Sequence, residues 1–142
     1  VHKVFVFGTL KQGFPNFKTN KGVRIAGDFQ TQKRYPLYLV GERHSPWLVL
    51  NEGHGQPVKG QVFEVDDQAL EAMDTLERIH EPDGYRRITI KVNCLQSGKE
   101  LDVFLYAKPP EMLDQSEVKA VLDDEYRLEH AKLYRSRYAY PE

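Results

Sequence analysis

Two stretches of this chain carry residue types suited to chemistry, and they lie far apart in sequence. The first is Val4-Phe5-Val6-Phe7-Gly8-Thr9-Leu10-Lys11-Gln12-Gly13-Phe14-Pro15-Asn16, an apolar strand that breaks at a glycine and continues as a Gly- and Pro-punctuated loop. Gly8 has no side chain, so backbone there can come close to a ligand. Alone, the run defines a ligand-side loop and nothing sharper. The second is Glu77, four residues after Met73 and seven after Leu70. Those spacings put it on the helical stripe that should face the core. A glutamate there either sits at the stripe's edge and reaches outward, or is held in a partly dry pocket. In the second case desolvation raises its pKa, and a carboxyl poised near roughly 6–7 suits a general base and acid. Asp74, one turn earlier, is expected to face water.

The elements that must position these groups are legible in outline. Lys3–Phe7 reads as a buried strand, a short apolar run bounded by glycine. Residues Val23–Gln30, Pro36–Val40 and Pro46–Leu50 are further strand candidates, the last followed by the turn formers Asn51-Glu52-Gly53-His54-Gly55. Val58–Val65 alternates imperfectly, as a strand covered on both sides would. Asp66 or Asp67 can cap a helix running to about Arg78. Glu81-Pro82-Asp83-Gly84 is a turn. Tyr85–Asn93 and Leu101–Tyr106 alternate well and are joined by Gln96-Ser97-Gly98-Lys99, which predicts a hairpin. Pro109-Pro110 ends that strand. A last helix is predicted from about Gln115 to Leu133, with Asp114 and Glu117 as its capping pair. The result is an α+β domain over residues 1–142, its mixed sheet curved or closed into a small β-barrel and flanked by helices.

Composition narrows the function classes. The chain has 142 residues, 40% hydrophobic and 29% charged, within the globular range and enough to bury a core. A net charge of -1, with both signs mixed along the chain, argues against a nucleic-acid partner; Lys18, Lys21 and Arg24 read as a solvated loop. Cys94 is the single cysteine, which excludes an internal disulfide and multi-cysteine zinc sites and favours a reducing, cytoplasmic home. Its strand position suits a buried, inert thiol. The first residues form a strand pattern, so no signal peptide is expected, and no apolar stretch is long enough to span a membrane. His44 and His54 lack the spacing and acidic partners of a metal site, so no metal is expected. Phe14-Pro15 stands where a phosphate loop would need Lys-Ser/Thr.

Phe7-Gly8-Thr9-Leu10-x-x-Gly13-x-x-Asn16 resembles the Tyr-Gly-Thr/Ser-Leu loop that opens the gamma-glutamylcyclotransferase-like family. Met73-Asp74-x-x-Glu77 followed by Gly84-Tyr85-Arg86-Arg87 is similar to the family's Leu-Asp-x-x-Glu…Tyr-x-Arg signature, whose glutamate is catalytic. Between them, Tyr35-Pro36-Leu37, Gly41-Glu42, Pro46-Trp47-Leu48 and Val58-x-Gly60-x-Val62-Phe63-x-Val65 resemble the branch acting on gamma-glutamylamines. Order and spacing agree over roughly residues 3–107. Phe7 departs from the family's tyrosine, so a hydroxyl is absent while the main chain of Gly8–Lys11 is retained.

The resemblance implies a cofactor-independent enzyme. A gamma-glutamylamine, such as gamma-glutamyl-ε-lysine, would be turned on itself, its α-amine attacking its own γ-carbonyl to give 5-oxoproline and a free amine. Glu77 would be the catalytic residue. Phe7, Gly8, Thr9, Leu10 and Lys11 would bind substrate, with main-chain N–H groups stabilising the oxyanion. Trp47, Tyr85 and Tyr106 are expected around the substrate, and Pro46-Trp47 as an apolar wall. Arg87 can bind a carboxylate or pair with a surface acid. Asn16 is expected to fix the loop, and Tyr126, Tyr134, Tyr138 and Tyr140 to pack. Two other readings remain: a non-enzymatic module binding a small ligand or a protein on the same fold, and a cyclotransferase acting on gamma-glutamyl amino acids. The sequence leaves oligomeric state open.

Overall fold

The computed structural model describes residues 1–136, apart from the side chains of Asp114 and Gln115. Its first strand has apolar residues on both faces and partners on both edges. β1 (His2–Val6) and β6 (Gln56–Val65) run antiparallel, with Val4 opposite Phe63. On its other edge β1 runs parallel to β8 (Glu100–Ala107), with Val4 opposite Phe104. β8 forms the expected hairpin with β7 (Arg86–Cys94), Ile88 facing Leu105. β7 pairs with β3 (Phe29–Tyr35), and β3 returns to β6. The order β1-β8-β7-β3-β6-β1 therefore closes a barrel of five strands. The short β2 (Val23–Arg24) continues the β3 edge along β6. The expected strand over 23–30 is thus two pieces, separated by Gly27 at φ +105°.

Strand alternation divides the core into two shells. Phe5, Phe29, Val58, Val62, Val92, Val103 and Leu105 pack together inside the barrel. Val4, Val6, Phe63, Val65 and Tyr106, which point the other way, pack against α1 (Asp67–Leu76) through Ala69, Leu70 and Met73. Each large apolar side chain so buried contributes roughly 1.5–3 kcal/mol. The two-sided covering explains the imperfect alternation of residues 58–65.

A second sheet lies beside the barrel: β4 (Leu37–Val40) between β5 (Ser45–Leu48) and β9 (Val118–Leu122). Here the structure corrects the sequence reading. The helix expected over 115–133 is instead a 3-10 turn over Pro110–Gln115, the strand β9, and one short helix, α2 (Leu128–Ala131). The open edge of β4 captures Val118–Leu122, with Leu37 opposite Leu122 and Leu39 opposite Ala120. Strand pairing to a distant segment outweighs local helical preference there. Asp114 lies outside the described side chains, and Tyr138 and Tyr140 outside the described residues. Among the described residues no helix is long and apolar enough to cross a membrane.

Candidate active site

Glu77 owes its position to how α1 stops. Asp66 caps the start, its carboxylate accepting from the Ala69 N–H at 2.8 Å. Leu70 and Met73 bury the inner stripe. At the far end, Arg78 adopts φ +55°, its N–H bonding the Thr75 carbonyl at 3.2 Å while the Ile79 N–H bonds the Asp74 carbonyl at 3.2 Å. This paired closure is the Schellman arrangement, here with arginine where glycine is usual. The chain reverses at once. A Cβ on Gly84 would lie 1.7 Å from the Arg78 carbonyl oxygen, so only glycine permits the tight return. The Tyr85 N–H then bonds the Glu77 carbonyl at 3.0 Å, tying the next strand to the acid.

Glu77 lines a cavity of about 1000 Å³ shared with Phe7, Gly8, Thr9, Leu10, Trp47, Tyr85, Tyr106 and Lys108. The loop after β1 is locked by its own main chain. The Lys11 N–H bonds the Gly8 carbonyl at 3.1 Å, the Asn16 N–H bonds the Thr9 carbonyl at 2.8 Å, and Asn16 Nδ2 donates to Thr9 Oγ1 at 2.9 Å. The N–H groups of Gly8, Thr9 and Leu10 have no acceptor among the described residues. They form a ready set of donors for an anion. Gly8 is glycine for a packing reason as well: a Cβ there would meet Pro46 Cγ at 2.9 Å.

Burial pushes the Glu77 carboxyl up to about 7, and the ammonium of Lys108 opposes that rise. The side chain is half-buried by surface area because it faces the cavity, yet protein surrounds it on every other side. The enclosing protein governs its proton affinity, since cavity water hydrates a charge less well than bulk does. Lys108 is itself buried. Its Nζ donates to the Asp83 carbonyl at 2.6 Å and lies 4.5 Å from the Trp47 ring centre and 4.4 Å from that of Tyr85. Tyr85 donates to the Pro46 carbonyl at 2.8 Å, and burial holds its phenol well above the ordinary value, so it stays protonated.

The cavity gathers every expected site residue except one. Lys11 turns away: its Nζ donates to the Tyr126 carbonyl and lies 4.3 Å from the Phe14 ring centre, and burial lowers its amine to about 8. Its main-chain N–H is already used within the loop. Tyr106 lines the cavity but its hydroxyl donates a hydrogen bond to Asp74 at 2.6 Å. Asp74 therefore does not face water as expected; it also accepts from Arg87, whose guanidinium lies over Phe104. Arg87 thus pairs with a protein acid and is not among the cavity residues. Asn16 fixes the loop as expected and also reaches the cavity. Sequence reading placed the Arg43–Trp47 loop at the pocket's outer wall, where Arg43 lies, but missed Lys108 and Arg78 as cavity residues. One signal was present for Lys108: it follows Tyr106 by two, on the same face of one extended stretch.

Glu77, pushed up to about 7, thus shares one cavity at the barrel's end with the main-chain N–H groups of Gly8, Thr9 and Leu10. The family description "Gamma-glutamyl cyclotransferase, AIG2-like" matches residues 4–128, and the chain belongs to this family of cyclotransferases. Gamma-glutamylaminecyclotransferase B of Danio rerio is 36% identical over 113 residues, covering 74% of this chain and 58% of that protein's length. The gamma-glutamylaminecyclotransferase of Mus musculus is 34% identical over 114 residues, covering 72% of this chain and 75% of that one. The crystal structure of an AIG2-like protein from Mus musculus has the same fold, with a TM-score of 0.72, 31% identity, and coverage of 89% of this chain and 88% of that one.

Proposed function

We propose that the protein converts a gamma-glutamylamine, such as gamma-glutamyl-ε-lysine, to 5-oxoproline and the free amine. The supporting observation is the co-location of Glu77, at about 7, with the unspent N–H groups of Gly8, Thr9 and Leu10 in one cavity. The substrate's α-ammonium titrates near roughly 8 and cannot attack while protonated. Ionised Glu77 takes that proton. The amine nitrogen then bonds to the γ-carbonyl carbon, and the loop N–H groups stabilise the oxygen as it becomes negative. As the old C–N bond breaks, Glu77 gives that proton to the departing nitrogen and takes the second proton that the attacking nitrogen must lose to become the lactam N–H; the released amine takes that one up as its ammonium. No water is consumed and no atom is left over.

Ring closure within one molecule supplies much of the rate, since well-oriented intramolecular reactions reach effective molarities of roughly 10⁵–10⁸ M. Proton transfer by Glu77 contributes about 10²–10⁴-fold more. The substrate's own amine is the nucleophile, so the chemistry requires no cofactor. The lone, buried Cys94 fits work in a reducing, cytoplasmic setting.

Incubation with gamma-glutamyl-ε-lysine is expected to release lysine and 5-oxoproline in equal amounts, and Glu77→Gln to lower that rate by about 10²–10⁴-fold. Undiminished turnover in the variant would remove Glu77 from the mechanism. Tight 5-oxoproline binding with no turnover across gamma-glutamyl compounds would make the protein a binding module instead.

A further inference from the structure

The family match ends at residue 128, yet the chain beyond it reaches the cavity. Tyr134 lines the cavity, and its hydroxyl accepts from Asn16 Nδ2 at 3.2 Å. That same amide donates to Thr9 in the anion-binding loop. The next residue crosses to the opposite rim, where the Arg135 N–H bonds the Arg43 carbonyl at 2.9 Å in the β4–β5 turn. Upstream the segment is anchored by Tyr126, which is fully buried, stacks 5.7 Å from Phe14 and accepts from Lys11 Nζ. Residues 126–136 therefore form a strap, fastened to the Gly8–Asn16 loop on one side and to the β4–β5 turn on the other.

A cavity of about 1000 Å³ is at the upper end of what a drug-sized ligand fills. The cyclising glutamyl portion is small and is held by Glu77 and the main-chain donors. The remaining volume must take the amine. We propose that Tyr134 is a specificity-determining residue whose ring walls the cavity against bulky leaving amines. This rests on the cyclotransferase reading above. The aromatic ring provides a large, rigid surface at little entropic cost. Its bond to Asn16 holds that surface at a fixed distance from the loop that binds the oxyanion. Deleting the ring, rather than the hydroxyl, is what should open the wall.

The test compares gamma-glutamyl derivatives of a small and a bulky amine, methylamine and benzylamine, in the wild-type protein, Tyr134→Phe and Tyr134→Ala. Wild type is expected to favour the small amine in kcat/KM. Tyr134→Ala is expected to reduce that preference by roughly 10-fold or more, the scale of a reshaped apolar pocket. Tyr134→Phe, which keeps the ring, should retain it. An unchanged preference in the alanine variant, or an equal loss on both substrates, overturns the proposal. A second measurement needs no turnover. Trp47 is the only tryptophan and lines the same cavity. Acrylamide should quench its fluorescence more strongly in Tyr134→Ala than in wild type, with melting curves confirming that the variant is folded. If quenching is unchanged in the folded variant, Tyr134 does not wall the cavity, whatever reaction the protein performs. Stronger quenching in a protein that forms no 5-oxoproline from any substrate would retain the wall, and remove the cyclotransferase reading and the leaving-amine role with it.

Discussion

Glu77 should cost the protein stability in the pH range where it works. Folding raises its carboxyl from the usual 4.5 to about 7. Between those values the native state holds a proton that the unfolded chain has released, so stability falls as pH rises. At about 1.4 kcal/mol for each pH unit, the full effect is about 3 kcal/mol, reached above pH 7 and absent below pH 4.5. Glutamine has nearly the same shape and never ionises. Glu77→Gln and wild type should therefore denature alike in urea near pH 4.5. By pH 8 the variant should be the more stable by up to about 3 kcal/mol, while its turnover is largely lost. Other carboxylates titrate equally in both proteins and cancel in the difference. A stability difference that stays flat from pH 4.5 to 8 would show that the carboxyl is well hydrated, and the base mechanism would lose its physical footing.

Lys108→Met removes the cation that favours ionised Glu77, so the acidic limb of the kcat/KM profile should move to higher pH, while Lys108→Arg should hold it near its original place; an unmoved limb in the methionine variant would refute the coupling. Gly8→Ala forces a methyl to 2.9 Å from Pro46 Cγ, and should cost about 1–3 kcal/mol in denaturant titration and reduce turnover further by displacing the Gly8–Leu10 N–H groups. Asp66→Ala loses the helix cap and should cost about 1 kcal/mol of stability by thermal denaturation, with turnover at 25 °C unchanged because the opposite end of α1 holds Glu77.

Local signals carried the parts of this fold whose partners are near in sequence. The β7–β8 hairpin, the Asp66 cap and the turn at Glu81–Gly84 all stand where residue types placed them. Helical spacing singled out Glu77 but left both an outward-reaching and a dry-pocket reading open, and the family resemblance decided between them. The stretch over 115–133 was not legible, because Val118–Leu122 becomes a strand only when the edge of β4 is available to it. Asp74 and Lys11 were misjudged for the same reason. Asp74 reads as facing water and Lys11 as a substrate contact until a distant partner is known: Tyr106 and Arg87 for the acid, the Tyr126 carbonyl for the amine. Lys108 escaped notice because its environment, two aromatic rings and the Asp83 carbonyl, comes from two segments distant in sequence, Trp47 and Asp83–Tyr85.

The parallel pairing of β1 with β8 has a bearing on how the protein is made. Strand β1 is translated well before its second neighbour, β8, which starts at Glu100. Until then one edge of β1, carrying Val4 and Phe5, lies unzipped while β6 covers the other. Late sealing of the barrel ties maturation of the Gly8–Leu10 donors to synthesis of the chain through β8.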